Sequence, residues 1–285
     1  LWNGGVDFTL DASDATADRL AIGDAAAGTW LVRNGGRLNV RNVESRGTAT
    51  PVTLAFDGGF FAPSDGDCEF LVKNALDVRF EAREGGLRLA VPASRIWTVR
   101  MPVSGAGGLV KEGAGTLVVG TAKTVSPDGT ATNDLGVATL ACTGVTRVRE
   151  GVVRLEPGSA DGAAFDVAAG ATLDLGGGAH AISVTGAGTV ANGALKRDSV
   201  LGQGTAFSNV EIRNGVRIDV RAYDVPSRPS GLAIGAVSGT TTVSGSPRRL
   251  WGDETAARYR GRLRVVDGTL LLDIVDPPGL VISVR

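Results

Sequence analysis

Apolar and polar residues alternate along this chain in short runs cut by glycine or turn residues. TRVREGVVRLEPG, TLDLGGG, NVEIRNGVRIDVRAYDV and RLRVVDGTLLLDIVDPP keep a two-residue period over four to eight positions, as strands with one buried face do. Windows with the period of an amphipathic helix are few. The best helix candidate is ASDATADRLAIGDAAAG, from about Asp11 to Leu20, and even there loop and strand are expected.

Many of these strands begin at a glycine: Gly36 (GRLNV), Gly86 (GLRLAV), Gly115 (GTLVV), Gly151 (GVVRL), Gly170 (GATLDL), Gly193 (GALKR), Gly215 (GVRIDV) and Gly268 (GTLLLDI). From Gly151 to Gly215 the steps are 19, 23 and 22 residues, and a step of about 20 residues is one coil of a β-solenoid. Stacked coils lie ~4.8 Å apart, so each bonds to the next and inward Leu, Val and Ile meet their equivalents above and below. Glycine suits the corners, and its 42 occurrences in 285 residues are about twice the usual ~7%. Wider gaps read as insertions at turns, around Pro127 to Gly136 and from Tyr223 to Gly231. The expected organisation is an irregular β-rich N-terminal portion or early solenoid coils over 1–101, β-helix repeats over 102–276, and a C-terminal strand over 277–285.

The stretch Gly105 to Gly120, GAGGLVKEGAGTLVVG, is not a phosphate loop. Lys111 follows Val110, no GK[ST] occurs, and TLVVG continues as strand and not as helix. Gly107, Gly108, Leu109, Lys111, Gly113, Gly115, Thr116, Leu117 and Val119 resemble the glycine-rich passenger-associated repeat of bacterial autotransporters. TGVTRVREGVVRLEPGS, FDVAAGATLDLGGG and VTGAGTVANGALKR are similar to further copies, over about Gly105 to Arg197. The resemblance implies a right-handed parallel β-helix from an extracellular or cell-surface bacterial protein, with a structural repeat and no catalytic residues to carry over. No C-terminal translocator barrel is expected behind PPGLVISVR. Lys111 is expected beside a turn, facing solvent.

Composition narrows the function classes. Lys and Arg number 29 against 30 Asp and Glu, so the footprint of a nucleic-acid or anionic-membrane binder is missing. No apolar run of spanning length occurs, and membrane insertion of this segment is not expected. The opening LWNGG lacks an initiator Met and a signal-like region, which reads as a processed chain or a piece of a longer one. One His and two Cys offer no zinc spacing, and no cofactor is expected. Cys68 and Cys142, about three and a half coils apart, fall roughly 14 to 17 Å from each other along a regular stack, too far for a bridge. Two unpaired, largely buried thiols follow. Asp65, Asp67 and Glu69 read as a solvated turn more than as a calcium loop.

An enzyme of the polysaccharide-active kind needs converging carboxylates or a base in a groove. Asp166, Asp174, Asp219 and Asp273 are outward candidates, and His180 in GGGAHAIS is a turn or surface residue. The spread of these groups favours a non-catalytic structural or adhesive role, with protein or glycan partners. Trp30 and Trp97 read as core or cap, whereas Trp251, beside Arg248 and Arg249, is a candidate glycan contact. Pro277 and Pro278 break strand pairing. Leu280, Val281 and Ile282 then become a candidate inter-subunit contact in a homo-oligomer or filament.

Overall fold

The computed structural model describes residues 2–3, 8–22, 28–45, 52–63, 66–70, 72–73, 78–126, 131–195, 205–213, 215–221, 223, 225–245 and 248–275. Nearly all of its regular structure is strand, arranged as a solenoid-like stack of parallel ladders. One coil contributes Val78–Ala82, Leu87–Ala90 and Ile96–Val99 to three successive faces. The next coil repeats the path with Val103–Ser104, Leu109–Glu112 and Thr116–Val119. The two coils pair in parallel at Phe80↔Val103, Leu87↔Leu109 and Trp97↔Leu117. These ladders cross Met101, so the repeats expected from residue 102 are continuous with coils that begin at Phe8–Asp11 and Asp14–Ile22. The helix candidate is therefore strand.

Packing follows the register. Trp97, Leu117, Val153, Leu173, Val190 and Ile212 form one inward column of the third face, each opposite the next. All are buried, and each contributes about 1.5–3 kcal/mol. Phe56, Phe61, Phe70 and Phe80 widen the core in the early coils, with ring centroids of Phe61 and Phe70 at 4.8 Å in an edge-on contact. Trp30 and Trp97 are core residues, as expected.

The glycine steps do not mark one corner. Gly36 and Gly86 precede second-face strands, Gly115, Gly151 and Gly170 precede third-face strands, and Gly193 and Gly215 precede a further short ladder. The true repeat is read from pairing: Val148↔Val167↔Gly186 advances 19 residues at each step. Of the turn insertions expected, the first holds the strand Thr132–Asp134, antiparallel to Lys123–Val125, and the second a 3-10 turn at Val225–Ser227.

Gly268 does not begin another coil. Asp267 and Gly268, at φ +46° and +72°, turn an antiparallel hairpin between Arg260–Val266 and Thr269–Val275, the pattern Asp-Gly favours. The hairpin pairs with Leu232–Ser238 on one side and Arg248–Trp251 on the other. The repeats expected through residue 276 thus give way to an antiparallel cap. Asp273 fastens it, accepting from Arg264 Nε at 2.8 Å, Ser230 Oγ at 2.6 Å and the Gly231 amide at 2.7 Å.

Lys111 overturns its expected exposure. A two-residue period puts it on the inward side with Leu109, and it is fully buried. Its Nζ donates to the carbonyl oxygens of Glu112 (3.0 Å), Gly113 and Glu150 (2.9 Å), matching three N–H donors to three acceptors. The physical reason is that the corner after this strand leaves carbonyls in the interior, where only a donor can satisfy them. Gly113 makes the corner at φ +73°, and a Cβ there would lie 2.3 Å from the Val91 carbonyl oxygen.

Two stability predictions follow from this corner. Gly170→Ala, at φ +81° with open space around it, is expected to cost about 1 kcal/mol of backbone strain. Gly113→Ala should cost clearly more in urea unfolding because it also meets Val91. Burial pulls the Lys111 ammonium down to about 8, against the opposing pull of Glu150 and Glu112, whereas an unfolded lysine titrates near ~10.4. Between those values the unfolded chain binds more protons, so stability rises with pH across the window. Lys111→Met should abolish the rise and lower stability at neutral pH by about 1–3 kcal/mol, since three buried carbonyls lose their donor. Urea unfolding from neutral to alkaline pH measures both effects.

Candidate functional site

The second face carries a lateral cleft of about 350 Å³ crossing the strands Asp14–Ile22, Arg37–Ser45 and Gly59–Ala62. Its origin is local. Asp14 to Ala17 pair with Arg37 to Val40, and Arg19 to Ile22 with Asn42 to Ser45, in one register. In the next coil the strand ends at Ala62 before Pro63, and the ladder continues only at Val72. A proline supplies no ladder donor, which suits a strand end. Thr16, Asp18, Asn39 and Arg41 give the cleft its polar groups, and Ala17, Val40, Ala62 and Pro63 its apolar surface. Asn39 Nδ2 donates to Thr16 Oγ1 at 3.2 Å.

Beside the cleft, one outward row runs Asp14↔Arg37↔Phe60↔Arg88↔Val110. The guanidinium carbons of Arg37 and Arg88 lie 4.5 and 4.1 Å from the Phe60 ring centroid, two cation–π contacts on a half-buried ring. Arg88 also pairs with Glu112 at 2.7 Å. None of these residues was a candidate in the sequence, because the spacings that align them are unequal until the register is known. The available signal was the run of alternating polar residues in DATADR and RLNVRN.

The residues singled out near the C-terminal end come together only in part. Trp251 is half-buried, with the Arg217 guanidinium carbon 4.1 Å from its ring centroid. That face of the indole is occupied and not open to a sugar. Arg249 is exposed, and burial together with Arg249 lowers the Arg217 pKa. Arg248 lies in the same strand, opposite Gly261. A second cavity of about 260 Å³ adjoins, with Arg221, Tyr223, Asp253 and Thr255 in its wall. Asp219 holds Arg221 with Nε–Oδ1 at 3.0 Å. Leu280, Val281 and Ile282 lie outside the described residues.

The enzyme candidates do not converge. Asp174 accepts from Arg154 and the Gly176 amide, and Asp273 fastens the hairpin. His180, expected at a turn or surface, is fully buried with Nδ1 at 4.0 Å from Asp161 Oδ1. The reason is its register opposite Leu195, an inward position. Asp67 accepts from the Ile96 amide at 2.9 Å, and Asp65 lies outside the described residues. Glu69 pairs with Arg100. Among the described residues no group of His, Cys, Asp and Glu is arranged to hold a metal, and no helix is long and apolar enough to cross a membrane. Cys68 and Cys142 are free and half-buried, and burial raises both thiols, Cys68 to about 11.

Arg100 and its partners tie four successive coils together on the third face. Besides Glu69 it reaches Glu156 with Nη1–Oε2 at 2.6 Å and Nη2–Oε1 at 2.8 Å, and Glu156 accepts from the Thr121 amide at 3.2 Å. The Arg100 bond holds Glu156 below the ordinary glutamate range. Its contribution to stability is therefore present above the unfolded pKa and lost as pH falls through the folded one. Glu156→Gln should flatten the acid limb of the stability profile, measured by thermal unfolding between neutral pH and about 3.

Comparison with protein-family models, with curated proteins and with solved structures finds no match to this chain.

Proposed function

We propose that the chain is a non-catalytic structural or adhesive segment of a bacterial cell-surface or secreted protein, built as a right-handed parallel β-helix. The observation that carries this reading is the use made of the repeat-like motif. Gly113 and Lys111 are spent on the corner and its buried carbonyls, and Leu117 and Val119 on the core. The motif builds a coil. A stack of such coils is stiff along its axis because every coil is bonded to its neighbours on several faces. The job that suits it is to hold side faces and turn loops at a distance, for protein or glycan partners outside the cell.

End-to-end filament assembly is the second reading. It is favoured by the Phe8–Asp11 strand, which is the outermost of the five-stranded first-face ladder, and by Phe8, exposed beside Trp30. At the other end the antiparallel hairpin already occupies the edges of Leu232–Ser238 and Arg248–Trp251, which weighs against addition there.

Small-angle scattering with negative-stain imaging tests the proposal. The expected result is a monomeric rod at all concentrations, with no product released from neutral or acidic polysaccharides. Concentration-dependent filaments would move the assignment to the second reading, and product formation would replace both with an enzyme.

A further inference from the structure

We infer that the cleft across Asp14–Ile22, Arg37–Ser45 and Gly59–Ala62 binds a neutral oligosaccharide lying along the coil axis. The inference rests on the surface-segment reading above and names the ligand class that such a surface takes. Its volume of about 350 Å³ falls in the range of small-ligand sites, about 300–1,000 Å³.

The wall chemistry decides the class. Asp18 brings one carboxylate and Arg41 one guanidinium, so the cleft has no net charge to reward a polyanion or a polycation. What it offers is a mixture of acceptors and donors over an apolar floor of Ala17, Ala62 and Pro63. A pyranose presents the complement, hydroxyls that both donate and accept around C–H surfaces. The Asn39–Thr16 bond uses one amide proton and the Thr16 oxygen. It leaves the Asn39 carbonyl oxygen, its second amide proton and the Thr16 hydroxyl proton for a ligand. Arg37 and Arg88, two further cations on this face, are engaged with Phe60, and Arg88 also with Glu112.

Geometry separates a glycan from a peptide. A peptide that adds to a sheet needs a free strand edge, whereas the strands under the cleft pair with one another at Thr16↔Asn39↔Ala62. Recognition must come from side chains, which recur at ~4.8 Å from coil to coil and so suit a ligand of repeating units.

Isothermal titration and saturation-transfer NMR on the full chain test this with cellohexaose, maltohexaose and mannohexaose, and with oligogalacturonate as the charged comparison. At least one neutral hexasaccharide is expected to bind, with affinity lowered about tenfold or more by Asn39→Ala and by Arg41→Ala. Arg221→Ala, in the other cavity, should leave it unchanged, and circular dichroism should report the same fold for all three variants. Absence of binding by every neutral sugar, tighter binding of the uronate, or binding indifferent to both cleft variants would overturn the inference. Those outcomes leave the rod seen by scattering untouched, so failure of the cleft is distinguishable from failure of the surface-segment reading.

Discussion

Everything in this structure depends on one constraint: each coil must return its strands to register with the coil before it, ~4.8 Å along the axis. Backbone pairing between coils satisfies the strands, but it does not satisfy the corners, where the chain turns and carbonyls are left in the interior. Two devices meet that need at the best-defined corner. Gly113 allows the turn and the close approach of Val91, and the Lys111 ammonium collects carbonyls from its own corner and from Glu150 in the next coil. A charged side chain in the core is costly unless hydrogen-bonded. Here its bonds join two coils.

The same constraint shapes the surface. Because strands pair in parallel and in register, outward side chains form rows, and rows bring together residues far apart in sequence. Arg37, Phe60 and Arg88 meet in this way, as do Glu69, Arg100 and Glu156. Where pairing to Arg37–Ser45 stops at Ala62 and continues only at Val72, a cleft opens beside Asp18 and Arg41. The candidate site thus lies beside a strand end.

Sequence pattern was sufficient for the strands, for the solenoid-like stack and for the two-strand geometry of GAGGLVKEGAGTLVVG. Alternation reports which side of a strand is buried, and Trp97 and Trp30 followed it into the core. It failed where face and register matter. Gly151 and Gly193 look like one repeat but precede different ladders, since a glycine signals a turn without saying which one. Gly268 looked like a coil start because the Asp-Gly turn of a hairpin and a solenoid corner demand the same backbone. Lys111 and His180 are expected at turns from the glycines around them, although the period itself puts both inward. The cleft was invisible because no local pattern records where Gly59–Ala62 stops against Arg37–Ser45.

The central claim, coils stacked in this register, is tested most directly by a cysteine pair at Thr116 and Val152 in a background lacking Cys68 and Cys142. These residues lie opposite each other across adjacent third-face strands despite the insertion between them. Mild oxidation of Thr116→Cys/Val152→Cys is expected to give a monomeric bridged chain, while Thr116→Cys paired with Arg154→Cys stays reduced. Bridging of the second pair in preference to the first, or bridging of neither in folded protein, would contradict the account.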